Sequence, residues 1–208
     1  MVKFFVRTTG ERELDSSYSQ IEYELLIDKD HQPLESFLKQ YEYIKQFDSV
    51  VLEDDLVLCK NFKERIMKII NEHPDDYINF FCYPVNYFQS RYSSVFTWQQ
   101  CVYRPKSKAS LVLEKMKTLN NGNIPTDDLE GMALFSLRME NYQPRPCIVQ
   151  HIDNNTLIQT RTILKRRITP YFIDWFEKNN ITYEFMNSKK LNILLKEVEV
   201  FENEHRWY

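Results

Sequence analysis

Residues 49–56 read S-V-V-L-E-D-D-L, and this stretch decides the fold and the site that the sequence predicts. The apolar residues Val50 to Leu52 favour a buried strand, and they lead directly into the acidic run Glu53–Asp55. Such a strand carries its acids to the edge of a parallel sheet, where α/β proteins bind their ligands. Because adjacent carboxylates repel one another, we expect a cation beside them, most simply a divalent metal ion with oxygen ligands. A charged loop after a strand is the alternative.

The composition is that of a folded protein with one sizeable core. The chain has 208 residues, of which 43% are hydrophobic and 14% are aromatic. Only 3 glycines occur, and neither GxGxxG nor GxxxxGK[ST] is present, which argues against the usual dinucleotide-binding and P-loop proteins. The formal net charge is -3, so a contact with nucleic acid would need a local basic patch.

The cysteines and the hydropathy pattern indicate a cytoplasmic protein. The four cysteines are widely spaced and form no CxxC pair, so we expect reduced, buried thiols rather than a zinc site. They are Cys59, Cys82, Cys101 and Cys147. The first strand begins almost at the first residue, and no apolar run approaches the ~20 residues of a membrane span. We therefore expect neither a signal peptide nor a transmembrane segment.

Strand and helix patterns alternate along the first 82 residues, which predicts an α/β fold with a largely parallel sheet. Strands are predicted at 4–6, 22–28, 50–53, 77–82, 95–103 and 146–150. Helices are predicted at 34–46, from 62, from 105 and at 126–139, with Asn61 and Thr126 as caps of the second and fourth. Residues 1–160 form the predicted core. Residues 161–208 form a small C-terminal appendage packed on it, with a helix from 169, a strand at 181–185 and a last helix.

Two later stretches join the acidic run at 53–55 as motifs: residues 125–131 read P-T-D-D-L-E-G, and residues 146–151 read P-C-I-V-Q-H. Together the three motifs resemble those of GT-A glycosyltransferases, and most closely the small family-25-type enzymes and related phage enzymes that modify DNA. The acidic run after the strand resembles their metal-binding signature, and residues 125–131 resemble the acidic helix start on the acceptor side. Residues 146–151 resemble the late strand that returns a histidine to the metal. The resemblance covers residues 1–155 and implies a Rossmann-type, mostly parallel central sheet flanked by helices.

The resemblance also implies a reaction, the metal-dependent transfer of a sugar from a nucleotide-sugar to a hydroxyl group. A UDP-sugar is the expected donor, and Mn²⁺ or Mg²⁺ would stabilise the diphosphate that leaves. Asp55 and His151 are the expected metal ligands, while Glu53 and Asp54 face the donor. A histidine at a strand end is otherwise structural or solvated.

Asp127 and Asp128 are the candidates for a general base, if the transfer inverts the anomeric centre. The alternative is that they are acids that only stabilise a helix N-terminus. Arg7 and Thr8 after the first strand, and Asp28 after the second, are candidates for contacts to the donor. A solvated loop arginine is the alternative for Arg7. The sequence separates neither the two aspartates nor retention from inversion.

The acceptor is open between two classes. Trp98 is a candidate to stack on a sugar or base, although core packing is the more common role of an aromatic residue at such spacing. The basic cluster Lys165, Arg166 and Arg167 is either a solvated surface or a contact to a polyanion. The phage enzymes that the motifs resemble modify hydroxymethylated DNA bases. One expected acceptor is therefore a hydroxymethylated or already glycosylated DNA base, and the protein would then act in the host cytoplasm. A surface saccharide of the lipopolysaccharide type is the other expected acceptor.

Two alternatives lie outside glycosyl transfer, a non-catalytic nucleotide-binding module and a metal-dependent nuclease.

Overall fold

The computed structural model describes residues 1–29, 33–81, 92–93, 99–122, 124–152, 169–182 and 185–204. Its strands are β1 (Val2–Thr8), β2 (Glu24–Ile27), β3 (Asp48–Glu53), β4 (Leu56–Leu58), β5 (Tyr77–Asn79), β6 (Tyr92–Ser93), β7 (Cys101–Arg104), β8 (Asn141–Tyr142) and β9 (Val149–His151). Its helices are α1 (Pro33–Ile44), α2 (Phe62–Glu72), α3 (Lys106–Leu119), α4 (Thr126–Ser136), α5 (Ile173–Lys178) and α6 (Ser188–Glu204), with a 3-10 helix at Ser16–Gln20.

Within these ranges the chain forms a seven-stranded sheet in the order β2-β1-β3-β7-β5-β8-β6, and β4 pairs with β9 in a second, two-stranded sheet. β1 is parallel to β2 and β3, and β5 is parallel to β8. β7 is antiparallel to both β3 and β5, and β6 is antiparallel to β8. Five of the seven strands therefore point the same way.

Helices cover both faces of the large sheet. Alternation along β1 places Phe5 on the face covered by α1, α3 and α4, and it places Phe4 and Val6 on the face covered by α2, α5 and α6. The predicted α/β fold, with a mostly parallel central sheet flanked by helices, is confirmed. Among the described residues, no helix has both the length and the apolar character that crossing a membrane requires.

The C-terminal segment packs on the core through the strand that ends at His151. The backbone of Cys147 donates a hydrogen bond of 2.8 Å to Tyr171 O and accepts one of 2.8 Å from Ile173 N. The buried side chain of Gln150 also bonds both backbone groups of Thr169, with its Nε2 2.7 Å from the carbonyl and its Oε1 3.0 Å from the amide. The division of the chain at residue 160 stays a prediction.

Several local predictions were wrong in their details. Asn61 is the N-cap of α2, as predicted, but it has the left-handed conformation (φ 54°) and its side chain makes no capping hydrogen bond. Thr126 is the first residue of α4, whose N-cap is Pro125. The helix expected from 169 begins at Ile173, because Phe172 first bridges to Cys147.

The predicted strands were also too long or misplaced. Residues 99–100 precede β7 rather than belong to it, and residues 181–182 and 185 lie outside any strand, while residues 95–98 and 183–184 of these two predicted strands lie outside the described residues. β4 was not predicted at all. Cys59, Cys101 and Cys147 are buried and form no disulfide, as expected, while Cys82 lies outside the described residues.

Candidate functional site

The parallel pairing of β1 and β3 brings the first predicted site residues together. Arg7 lies opposite Glu53 in the register, and its Nη1 is 3.4 Å from Glu53 Oε1. The next residue along β1, Thr8, donates a hydrogen bond of 2.6 Å from its Oγ1 to Asp54 Oδ2. Two residues predicted to contact the donor therefore hold two of the three acids in this structure.

Arg12 is a site residue that the sequence did not predict. Its Nη1 lies 2.8 Å from Asp55 Oδ2 and 3.2 Å from Asp54 Oδ1, so one guanidinium nitrogen bridges two neighbouring carboxylates. The loop that carries Arg12 turns after β1 at Gly10, whose φ of 84° is in the left-handed region. The polar run that follows the first strand was visible in the sequence, but nothing in it indicates which way this side chain points.

The 3-10 helix after this loop is hydrogen-bonded to β3 and β4, the strands on either side of the acids. Asp15 accepts a hydrogen bond of 2.8 Å from Ser17 N and so begins the helix, and Ser17 Oγ accepts one of 2.9 Å from Leu58 N. Between these contacts, the buried Tyr18 hydroxyl donates a hydrogen bond to the carbonyl oxygen of Glu53. The loop from β1 is therefore anchored on both β3 and β4, which fixes the position of Arg12.

The short strands β4 and β9 bring His151 to Asp55. Leu56 lies opposite His151 in their antiparallel register, and Ile152 N donates a hydrogen bond of 2.8 Å to Asp55 O. This places His151 Nε2 3.2 Å from Asp55 Oδ2. The histidine side chain is only 1% exposed, and its Nδ1 is buried without a hydrogen-bond partner. The predicted proximity of Asp55 and His151 is therefore present in the structure.

The electrostatics of the site favour ionised acids. Burial alone would raise the pKa of Asp55, but His151 and Arg12 outweigh burial and lower this pKa from its ordinary value of 3.8 to about 2. Burial likewise opposes the charge of Arg12, yet Asp55 and Asp54 raise the pKa of its guanidinium. Counting only Glu53–Asp55 and the two arginines that pair with them, the site carries a formal charge of -1.

The residues present fit a divalent metal that takes most of its ligands from elsewhere. No group of three or more His, Cys, Asp and Glu side chains in the described ranges is arranged to hold a metal ion. Two adjacent ligands of an octahedral ion lie roughly 3.0 Å apart, since each is about 2.1 Å from the metal. The 3.2 Å between Asp55 Oδ2 and His151 Nε2 matches that separation, and Asp55 Oδ1 is buried without a hydrogen-bond partner. A metal that keeps its waters or binds substrate phosphates needs only one or two protein ligands.

The remaining predicted residues lie apart from this cluster or outside the described residues. Asp28 follows β2, and its amide donates a hydrogen bond of 2.9 Å to Thr8 O, which places it at the same sheet edge. Asp128 is exposed in the first turn of α4, and within the described part of the chain no hydrogen bond or ion pair joins it to the acids. The predicted residues that lie outside the described side chains are Trp98, Asp127, Lys165, Arg166 and Arg167.

A second charged group, which the sequence did not predict, lies on the face of the sheet covered by α1, α3 and α4. Glu130 in α4 is fully buried and binds Arg104 of β7 through two hydrogen bonds of 2.7 and 2.6 Å. Tyr41 donates a third hydrogen bond of 3.1 Å to Glu130, and its hydroxyl lies 2.7 Å from that of Tyr77. Arg104 Nη2 also reaches Gln99 Oε1 at 3.4 Å. Within the acidic start of α4, the residue with clear structural partners is therefore Glu130.

The sheet edge thus brings together Arg7, Thr8, Arg12, the three acids and His151, in an arrangement that suits the binding of a cation or a charged ligand. Neither a scan against protein-family models nor a search of curated proteins finds a match to this chain.

Proposed function

We propose that this protein is a metal-dependent glycosyltransferase of the GT-A type, which moves a sugar from a nucleotide-sugar, expected to be a UDP-sugar, to a hydroxyl group. The observation that carries the proposal is the 3.2 Å contact between His151 Nε2 and Asp55 Oδ2. The resemblance assigns these two residues to one metal, although they are far apart in the sequence. The pairing of β4 with β9 supports this assignment, because it brings both residues to the carboxyl end of β3.

In this proposal Asp55 and His151 hold Mn²⁺ or Mg²⁺, and a bound cation would offset the negative charge of the departing diphosphate. Arg7 and Thr8 hold Glu53 and Asp54 beside the donor. Asp28, at the same edge, is close enough to Thr8 to contact the nucleoside part of the donor. The chain's own groups thus bind and orient the donor before any bond breaks.

The exposed Asp128 is the proposed general base, with Asp127 as the other candidate. It would take the proton of the acceptor hydroxyl as that oxygen attacks the sugar, if the anomeric centre is inverted. The acceptor is a hydroxymethylated or glycosylated DNA base, or a surface saccharide. For a DNA acceptor, the basic cluster at 165–167 and Trp98 are the proposed contacts, and the cytoplasm is the proposed place of the reaction.

A nucleotide-binding module of the same fold without turnover is the second candidate. One observation favours it: Arg12 already bridges Asp54 and Asp55, and Asp128 makes no described contact with this group. The two candidates agree on donor binding and differ in whether the sugar is transferred or hydrolysed.

The test is a thermal-shift titration followed by an activity panel. Mn²⁺ together with UDP should raise the melting temperature of the parent protein, and Asp55→Asn should abolish the rise. Asp76→Asn is the matched control, because Asp76 lies just before β5, at the opposite end of the parallel strands, and pairs with His73. A rise in Asp55→Asn equal to that of the parent would refute the metal assignment.

Nucleotide-sugars are then incubated with Mn²⁺ and scored for hydrolysis, with and without DNA that contains hydroxymethylcytosine. Transfer to this DNA, or hydrolysis of one donor, supports the enzyme, while donor binding without turnover supports the module. Activity that survives replacement of both Asp127 and Asp128 would remove their proposed role as base. A loss of transfer to DNA in a variant with Lys165, Arg166 and Arg167 replaced, greater at low salt than at high salt, would support the polyanion contact.

A further inference from the structure

Arg12 occupies one side of the carboxylate that the proposed function gives to a metal. Asp55 Oδ2 lies 2.8 Å from Arg12 Nη1 and 3.2 Å from His151 Nε2, and the guanidinium also contacts Asp54 Oδ1 at 3.2 Å. The arginine side chain is 21% exposed, whereas those of Asp54 and Asp55 are 8% and 12% exposed, so Arg12 is the most exposed member of this group of three. The sequence predicts a cation beside these acids, and in this structure the guanidinium of Arg12 lies there.

The acids retain capacity for a ligand beyond Arg12. Asp55 Oδ1 is buried without a hydrogen-bond partner, and so is Nδ1 of the 1% exposed His151. Buried polar atoms normally have partners, and exceptions mark places where a ligand, an ion or a water binds. The acids are therefore not saturated by the arginine.

The two arginines weaken the attraction of this site for a divalent ion that arrives alone. With Arg7 and Arg12 in place the formal charge of the cluster is -1 rather than -3, and a second cation beside Asp55 Oδ2 would lie next to the guanidinium. Like charges at such a separation repel strongly where solvent is excluded. A nucleoside diphosphate reverses this situation, because its phosphates neutralise the metal and also accept hydrogen bonds from a guanidinium.

We propose that Arg12 is a donor-binding residue that exchanges partners: it holds Asp54 and Asp55 in the free protein and turns to the diphosphate when the metal binds. This inference rests on the proposed function, since it assigns a further residue to the same donor site. It follows that the divalent metal and the diphosphate bind cooperatively, each weakly alone and tightly together.

Calorimetric titration tests the exchange with Mn²⁺ alone, UDP alone and Mn²⁺ in the presence of saturating UDP. In the parent protein, UDP should tighten Mn²⁺ binding by about tenfold or more, within the usual range of coupling between two ligands. Arg12→Gln should bind Mn²⁺ alone more tightly than the parent does, and UDP should tighten that binding much less. Arg12→Lys keeps the positive charge and should bind Mn²⁺ alone as weakly as the parent.

Arg65→Gln is the matched control, because Arg65 of α2 pairs with the exposed Glu177 of α5, away from the acids. It should behave as the parent in all three titrations, and melting curves establish that each variant is folded. Equal affinity of the parent and Arg12→Gln for Mn²⁺ alone, or undiminished coupling in Arg12→Gln, would overturn the exchange. The same would follow if Arg12→Lys behaved like Arg12→Gln.

The failure of the proposed function has a different signature. If neither the parent nor any variant binds UDP, but Arg12→Gln still binds Mn²⁺ more tightly than the parent does, the proposed donor is wrong. The competition between Arg12 and a cation then still stands. If Mn²⁺ and UDP bind together in the parent and Arg12→Gln changes nothing, the donor site stands and the role of Arg12 is wrong. Absence of Mn²⁺ binding in every variant and in the parent, both with and without UDP, overturns both.

Discussion

Glu130→Gln is expected to destabilise the fold by about 3–5 kcal/mol, the usual cost of removing one partner from a buried ion pair. The geometry explains the size of this effect. Glu130 is 0% exposed, Arg104 is 1% exposed, and two hydrogen bonds of 2.7 and 2.6 Å join them side by side. Glutamine can still accept a hydrogen bond from Arg104 or Tyr41, but it leaves the positive charge of Arg104 buried without a counter-charge. Burial alone would lower the pKa of Arg104, yet Glu130 raises it, so the arginine stays charged.

Urea unfolding at 25 °C, followed by circular dichroism, measures the free energy of unfolding of each variant. The parent is compared with Glu130→Gln, Arg104→Met and the double variant Arg104→Met/Glu130→Leu. The double variant should recover most of the loss, because apolar side chains of similar volume often replace a buried ion pair at little cost. It also keeps the test decisive if a single variant does not fold.

The matched control is Asp128→Asn, two residues earlier on the same helix and exposed. It should change the free energy of unfolding by no more than about 0.5 kcal/mol. A cost below about 1 kcal/mol for Glu130→Gln, or a double variant as unstable as either single one, would refute the reasoning. The contrast also separates the structural acid of α4 from the one proposed to act on the acceptor.

Two further predictions concern the acidic site and the contact of the C-terminal segment. At pH 6 and in EDTA, Asp55→Asn should cost about 2 kcal/mol, since the pKa of Asp55 drops from 3.8 to about 2 and each pKa unit is worth 1.36 kcal/mol. This contribution to stability is fully present above pH 3.8 and is lost as the pH falls towards 2. The urea midpoints of the parent and Asp55→Asn should therefore converge near pH 2. A difference between the two midpoints that does not depend on pH would contradict the ion-pair account. Gln150→Leu should lower the free energy of unfolding by about 3 kcal/mol in the same assay, because it leaves the buried amide and carbonyl of Thr169 without the hydrogen bonds that Gln150 provides. A decrease of less than about 1 kcal/mol would show that other groups hold this segment.

The parts of the fold and site that the sequence predicted depend on local patterns. Val50 to Leu52 followed by Glu53–Asp55 is a strand that ends in acids, and the strand and its acids lie where this pattern places them. Arg7 and Asp28 were placed at the same edge, because residues at the carboxyl ends of neighbouring parallel strands must meet.

The parts that the sequence did not predict depend on long-range contacts. Leu56–Leu58 is too short to be recognised as a strand without its partner β9, which lies far along the chain. Glu130 sits in an acidic helix start, and nothing in that pattern indicates that this acid is buried against Arg104. Arg12 is one polar residue in a loop, whose direction is set by Gly10 and by the anchoring of the 3-10 helix.

The backbone, rather than the ion pair, sets the distance between Asp55 and His151. Leu56 pairs with His151, and Ile152 N donates a hydrogen bond of 2.8 Å to Asp55 O, so the β4–β9 pairing holds the backbones of both residues together independently of their side-chain contact. A fold that needed only a stabilising charge pair here would gain little from three adjacent acids, since each added carboxylate repels the others. The unpartnered Asp55 Oδ1 is the feature of these acids that the proposed ligand would explain. For the same reason, a loss of Mn²⁺ binding in folded Asp55→Asn reports on the chemistry of the carboxylate, because the strands that carry it remain paired.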